Sequence, residues 1–389
     1  MVLAVGLCAI AVVIAIDRGK GQTVGGDFHV FWQAGRNFAT GAPLYHGDLP
    51  GARRFIYPPF AAMVFQLFAV FPLPVAAEIL SFVNLLLLGV TIALTKSIIE
   101  RTFPDRTRGP LPLVLGVALS LLFYLDNFSH VQINEVICVL VLLGIDAHLR
   151  GWDVRAAAYF VVATAIKITP VFFVIWLLLR GRRRAALAVP VVAMACVVVP
   201  LLARGPATGA AELSEYYHSF LEGFQHGQVL TDSRVQNLGA MVYRAVPSER
   251  TAALTYRVAA GLLLLLFLAS LGRLRLNDAA VSSVEVSTVF LISHLLSPIT
   301  WRAHLVTLLF VYSTFLALRP STLGRLPRFV LPVLWALMTV SGLGRDVIGN
   351  EAFNAIARTS VVVWTMMLLL VTGVAVTWLS SPEPQGSAR

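Results

Sequence analysis

Charge is what this sequence has least of. Only 13% of its 389 residues are Asp, Glu, Lys or Arg, while 58% are hydrophobic and the mean hydropathy is +0.80. A soluble domain carries roughly 25% charged residues, so an ordinary globular domain is excluded and the chain reads as an integral membrane protein. Cysteine is nearly absent. Cys8, Cys138 and Cys196 each lie inside an apolar stretch and give neither a disulfide framework nor a zinc spacing. A Gly-rich phosphate loop, a Ser-His-Asp set and metal-ligand spacings are also lacking, as is any fixed-period repeat. Low complexity is confined to the tail, "SSPEPQGSAR". The net charge of +10 would suggest nucleic acid in a soluble protein. In a membrane chain the placement of Lys and Arg carries the meaning instead, and no nucleic-acid partner is expected.

What is present is a succession of apolar runs, at 1–16, 74–95, 111–125, 134–149, 185–202, 256–272, 284–298, 302–318, 328–343 and 358–379. Several fall short of the roughly 20 residues that cross a bilayer core, so their ends extend into the flanks. The first run lacks a basic leader and an A-x-A cleavage site, and it reads as a retained span. Between 155 and 180 an apolar segment is interrupted by "KITP". Crossing once, it would put "RGRRR" (180–184) on the opposite side from "HLRGWDVR". As a broken hairpin, it puts the basic segments 96–108, 150–155, 180–184, 273–275 and 319–328 on one side, which the positive-inside rule makes cytoplasmic. The expected fold is therefore one all-α polytopic membrane domain over 1–389, with about 10–12 transmembrane helices. It has a broken hairpin at 155–180, long external loops at 17–56 and 203–255 with juxtamembrane helices in the outer loops, and a short cytoplasmic tail at 380–389. Loops of that length usually carry function. The segment 58–74 fits a juxtamembrane helix at the outer interface.

On this topology Asp27, His29, Arg53, Arg54, Tyr57, Asn127, His130, Gln132, Asn134, Lys167, Gln236, Asn237, Arg302 and His304 fall on or near the outer face. Each has a plain reading. Asp27 after two glycines is a helix cap; Lys167 snorkels to the headgroups; His304 is an interfacial histidine beside Trp301; Tyr57-Pro58-Pro59 opens a helix. Against those readings, ionisable groups inside apolar spans are costly and mark sites, and an intramembrane lysine asks for an anion such as a lipid phosphate.

In order along the chain, "GGDFHVFWQAG", "FIYPPFAAMVF", "VQINEVICVL", "AIKITPVFF", "SRVQNLGAMVYR" and "LLSPITWRAHLV" resemble the motifs of the polyprenol-phosphate-mannose-dependent alpha-mannosyltransferases, glycosyltransferase family 87 of the GT-C superfamily. The resemblance implies a GT-C-type multispanning bundle in the plasma membrane with its active site facing the exterior. It implies transfer of mannose from a polyprenyl-phosphate donor to a glycolipid or glycan acceptor by inverting single displacement. Asp27 is then the general base. Lys167, His304, Gln132, Asn134, Arg302, Tyr57, Arg53 and Arg54 are donor phosphate or sugar contacts, and His29, Gln236 and Asn237 are acceptor-side candidates. No metal and no cofactor are implied beyond the lipid-linked donor and the surrounding membrane lipids. Three departures stand out: Ala303 replaces the first histidine of the family's His-His pair, Arg302 stands where a smaller or acidic residue is common, and Val235-Gln236-Asn237 only partly reproduces Asn-Gln-Ser. All fall near the implied sugar and acceptor pockets. An arabinofuranosyl or other pentosyl transferase, and a lipid-linked sugar transporter or flippase, are the alternatives. A transporter is expected to show paired broken segments, and only one such hairpin is seen.

Overall fold

The computed structural model describes residues 26–45, 54–103, 109–225, 232–276, 282–318 and 328–379, with Val13 and Asp17 besides. The apolar run 1–16, Arg53, most of the basic segment 319–328 and the tail lie outside the described residues. Among the described residues the regular structure is helical, with a single isolated antiparallel bridge between Val235 and Trp301. The helices are α1 (Asp27–Thr40), α2 (Pro59–Ala69), α3 (Leu73–Thr102), α4 (Leu111–Ser129), α5 (Asn134–Leu149), α6 (Asp153–Ile166), α7 (Val171–Leu179), α8 (Arg183–Arg204), α9 (Pro206–Gln225), α10 (Leu238–Ala245), α11 (Glu249–Leu276) and α12 (Ser283–Leu296). A 3-10 segment (Arg302–Thr307) then runs into α13 (Leu308–Leu316), followed by α14 (Val330–Ser341), α15 (Arg345–Arg358) and α16 (Val361–Leu379).

Proline sets several of these starts. Pro59, Pro74 and Pro112 occupy the first two positions of α2, α3 and α4, where a missing N–H costs nothing. Five helices, α3, α4, α8, α11 and α16, are long and apolar enough to cross a membrane. They make the chain a multi-pass membrane protein. The remaining apolar runs among the described residues form shorter helices packed among them, including both halves of the expected break: α6 ends at Ile166 and α7 begins at Val171. Within 203–255 the described residues include α9 and α10, helices of the kind expected in the outer loops.

Burial follows a membrane logic. On α11, Leu254, Val258, Leu262, Leu265 and Leu268 recur at helical spacing and are exposed, a face for lipid. On α3 the middle of the buried stripe is instead polar: Ser81, Asn84, Thr91 and Thr95 are buried between Leu80 and Ile98. Asn84 donates to the Gln132 carbonyl (2.7 Å) and Thr91 to Glu135 Oε1 (2.6 Å), tying α3 to α5.

The two ends of the bundle differ. At one, Asp146 bonds Arg150 (2.7 Å) and pairs with Arg101 (3.4 Å), Asp153 pairs with Arg182 (3.2 Å), and buried Glu285 takes Arg180 and the Trp176 indole N–H (2.7 Å). Three of the basic segments thus meet at one end. Lys167 lies at the far end of α6 from Asp153, with the helix breaks that carry the sequence motifs.

Candidate active site

The end of α4 fixes the first part of the site. Its last turn closes with Val131 N–H on Phe128 O (3.1 Å) and Gln132 N–H on Asn127 O (3.0 Å), the Schellman pattern, with Val131 in the left-handed region at φ 47°. α5 ends the same way, but there Gly151 takes the left-handed position. A buried β-branched residue in that conformation is strained, and such strain collects at functional sites. The turn delivers Gln132 and Asn134 onto neighbouring elements.

Gln132 Nε2 donates to Asp27 Oδ2 at 2.5 Å. Asn134 Oδ1 accepts from Lys167 Nζ at 2.7 Å, while its Nδ2 donates to Ala303 O (2.9 Å) and Asn127 Oδ1 (3.2 Å). Because an ammonium only donates, Lys167 fixes which way the Asn134 amide points. One short turn therefore holds a carboxylate through one amide and an ammonium through another. Asp27 and Lys167 lie within reach of each other's charge.

Asp27 is the first residue of α1, and the cap position belongs to Gly26. The helix N-terminus favours its negative charge. Burial and the Asp27 charge push the Tyr57 phenol up. Tyr57 packs at a tilt against Phe31 (4.9 Å between rings, 57° between planes), and its carbonyl accepts from the Tyr45 hydroxyl (2.7 Å). Arg54 is exposed. His29 packs its ring on Trp32 (6.0 Å), and partial burial lowers its pKa.

A small cavity adjoins this strip, with about 30 Å³ of open space. Lys167, Asn134, His294, His304, Ser293 and Thr307 line its polar side, with Phe173 and Phe290 among the apolar residues opposite. His304 Nδ1 lies 3.2 Å from Ile299 O and 3.3 Å from Trp301 N, which anchors the ring across the break at 297–301. His294 Nε2 meets Thr307 Oγ1 at 2.7 Å. Among the described residues no His, Cys, Asp and Glu side chains gather in a metal-binding group.

The structure separates the other sequence candidates. Asn237 caps α10, accepting from Ala240 N (2.7 Å) and donating to Ser297 O (2.7 Å) and Pro298 O (2.9 Å). Gln236 donates to Ser233 O (2.6 Å) and Ala357 O (3.1 Å), and its N–H reaches Thr300 O (2.7 Å). Both staple one motif segment to another. Arg302 is buried and lies over the Phe353 ring (3.9 Å to the centroid), outside the residues lining the Lys167 cavity. Ala303 contributes its carbonyl to Asn134.

Sequence reasoning missed His294, Ser293 and Thr307, which sit inside apolar helical runs and carry no local signal. It also missed Arg234. That residue pairs with Asp232, holds the Asp232 carboxyl below its usual range through side-chain hydrogen bonds, lies 5.8 Å from the Trp301 ring, and acts electrostatically on Asp27.

A membrane bundle whose helix breaks bring a carboxylate, an ammonium and a histidine together has the makings of an integral membrane enzyme working at a lipid boundary. Residues 55–298, well over half of the chain, match the profile of glycosyltransferase family 87, and the chain belongs to that family. It is a glycosyltransferase. It is 25% identical over 378 residues to the polyprenol-phosphate-mannose-dependent alpha-(1-2)-phosphatidylinositol mannoside mannosyltransferase of Mycobacterium tuberculosis, covering 90% of this chain and 84% of that one. It is 26% identical over 380 residues to the protein of the same name from Mycolicibacterium smegmatis, covering 89% and 83%. Among solved structures it resembles ArnT from Cupriavidus metallidurans bound to undecaprenyl phosphate, at 14% identity and a TM-score of 0.42, over 97% of this chain and 76% of that one. A likeness at that level decides nothing about the fold by itself.

Proposed function

We propose that this glycosyltransferase moves mannose from a polyprenyl-phosphate donor to a glycolipid or glycan acceptor at the outer face of the plasma membrane. Support for the donor comes from the two mycobacterial relatives, whose names specify polyprenol-phosphate-mannose. The observation that carries the chemistry is the strip Asp27–Gln132…Asn134–Lys167, which holds one base and one cation on a single turn.

In the proposed step an acceptor hydroxyl oxygen attacks the anomeric carbon as the bond from that carbon to the phosphate oxygen breaks. Asp27 takes the hydroxyl proton. Polyprenyl phosphate leaves with the bonding pair, its charge met by Lys167 in the cavity that His304 also lines. The single displacement inverts the anomeric centre. Tyr57, near enough for the Asp27 charge to act on its phenol, is assigned with Arg54 to the donor, and His29 to the acceptor. Neither a metal nor a cofactor is called for by this step, and transfer that survives chelation would agree with that.

The test is transfer of labelled mannose from polyprenyl phosphate mannose by the purified chain. Wild type should transfer, while Asp27→Asn and Asp27→Ala should be slower by about 10²–10⁴-fold. Full activity in both variants would remove Asp27 as the base. Uptake of the donor across vesicles without transfer would favour a transporter.

A further inference from the structure

Asn84 stands in the apolar stretch "VNLLLL" of α3 and belongs to none of the sequence motifs. It is wholly buried in a helix long and apolar enough to cross the membrane, where a side-chain amide is costly unless it is used. Its Nδ2 donates to the Gln132 backbone carbonyl at 2.7 Å. Since a carbonyl only accepts, this contact fixes which way the Asn84 amide points. Two turns on, along the same face of α3, Thr91 donates to Glu135 Oε1 at 2.6 Å. The helix therefore grips the chain at 132 and again at 135, on either side of Asn134.

That part of the chain needs holding. Val131 is β-branched and sits in the left-handed region at φ 47°, where the matching turn after α5 uses Gly151 at φ 76°. Such a conformation persists only when its surroundings over-determine it. The end of α4 holds the N–H groups of Val131 and Gln132, and Asn84 holds the Gln132 carbonyl. The peptide after Gln132 sets both the direction of the Gln132 side chain, toward Asp27, and the start of α5 at Asn134. A relaxed turn would take the donor from Asp27 and the acceptor from Lys167 together. Thr95, further along the same buried stripe, has no hydrogen-bond partner for its Oγ1 among the described residues. On α3 the ties to α5 thus fall where the strained turn lies.

We infer that Asn84 is a positioning residue for the transfer reaction: it holds the strained 131–134 turn in the shape that lets Gln132 meet Asp27 while Asn134 meets Lys167. This rests on the transferase reading above.

The test uses the full chain in detergent. Asn84→Leu keeps the branched outline and drops the amide, and it is made both in the wild type and in a Val131→Gly background. Thr95→Val is the packing control on the same stripe. Initial rates of mannose transfer are read beside thermal stabilisation by a short-chain polyprenyl phosphate, which requires no transfer. In the wild type, Asn84→Leu should lower kcat and weaken polyprenyl phosphate, each by about 10-fold or more, as misplacement remote from the chemistry can. In the Val131→Gly background, where the left-handed shape carries no strain, the same change should cost less than about three-fold. Thr95→Val should match the wild type in both readouts. A loss undiminished in the Val131→Gly background would make Asn84 a plain brace between helices and overturn the inference. Wild-type behaviour of Asn84→Leu, or an equal loss in Thr95→Val, would overturn it too. If Asn84→Leu alone does not fold, the double variant is read against Val131→Gly: matching values agree, and a gap of about 10-fold refutes. If the wild type transfers no mannose, the transferase reading fails and the polyprenyl phosphate arm still decides on Asn84. A wild type that neither transfers nor binds overturns both.

Discussion

The Asp27 carboxylate and the Lys167 ammonium stand at the two ends of one hydrogen-bonded strip, and each has a different job to lose. Asparagine at position 27 keeps the shape and can still meet an amide, but it takes no proton. A positioned base contributes about 10²–10⁴-fold, so Asp27→Asn should lower kcat by that order with an unchanged melting temperature. Lys167→Met keeps the stem and removes the charge. It should lower kcat by about 10²-fold or more and leave acceptor KM alone, since its partner is the leaving phosphate. Gln132→Ala tests position without removing chemistry: Asp27 stays, its 2.5 Å donor goes, and kcat should fall less than in Asp27→Asn. Initial rates over both substrates separate these three patterns. At this scale the sequence was readable where a polar residue broke an apolar run. Lys167 did so, His304 and Asn134 stood in or at the edge of such runs, Asp27 and Gln132 stood in the motif turns between them, and the structure brings all five together. Gln236 and Asn237 looked alike on paper but hold backbone carbonyls, and nothing in "VQN" distinguishes a staple from a ligand. His294 and Thr307 bear on the cavity from within hydrophobic stretches, where only folding reveals them.

Elements matter because α1 brings Asp27 to a turn 105 residues away. α1 packs on α2 through Gly35, where an added Cβ would fall 2.5 Å from the Phe65 carbonyl and 2.7 Å from Gln66 N. Those are backbone atoms of α2 and cannot swing aside. Gly35→Val should therefore push the helices apart, costing about 1–3 kcal/mol by overpacking and reducing kcat with it. Gly261 on α11 meets nothing within 4 Å, so Gly261→Ala is the matched control and should be neutral or stabilising by about 0.5–1 kcal/mol. At the other end, Glu285 joins the first turn of α12 to the end of α7 by bonding Arg180 and Trp176. Glu285→Ala removes the acceptor that the half-buried Arg180 guanidinium and the buried Trp176 indole N–H share. Removing one partner of a buried pair costs about 3–5 kcal/mol, and the double variant with Arg180→Met should recover part of it. Thermal melts in detergent check both sets. Element boundaries were legible at prolines and glycines. The bounds of the helices inside 203–255 were not, because α9 is too polar to read as a span and its burial comes from α8: Arg204 pairs with Glu212 and also donates to Asn37 O (3.1 Å) and Ala42 O (2.6 Å) of the α1 region.

Across the whole molecule the two ends are chemically opposed. Arg101, Arg150, Arg180 and Arg182 converge with Asp146, Asp153 and Glu285 at one end, while Asp27, Lys167 and His304 gather at the other. The sequence anticipated the grouping by treating the break at Lys167 as a return, and the structure breaks the chain there. Which end faces the cytoplasm is a separate matter, and the positive-inside rule speaks to it directly. α8 connects the ends in one pass of 22 residues, about 33 Å at the helical rise, so positions just beyond its termini report opposite faces. Arg155, next to the basic end, and Thr208, past the far end of α8, are both exposed. Introduced singly as cysteines in a chain whose native cysteines are replaced, they give opposite expectations with a membrane-impermeant maleimide. Thr208→Cys should label in intact cells, and Arg155→Cys only after lysis. The reverse pattern would turn the Asp27 mouth to the cytoplasm. The donor would then have to present its sugar on that side, and the outer-face reaction would fall while the base and the cation kept their places.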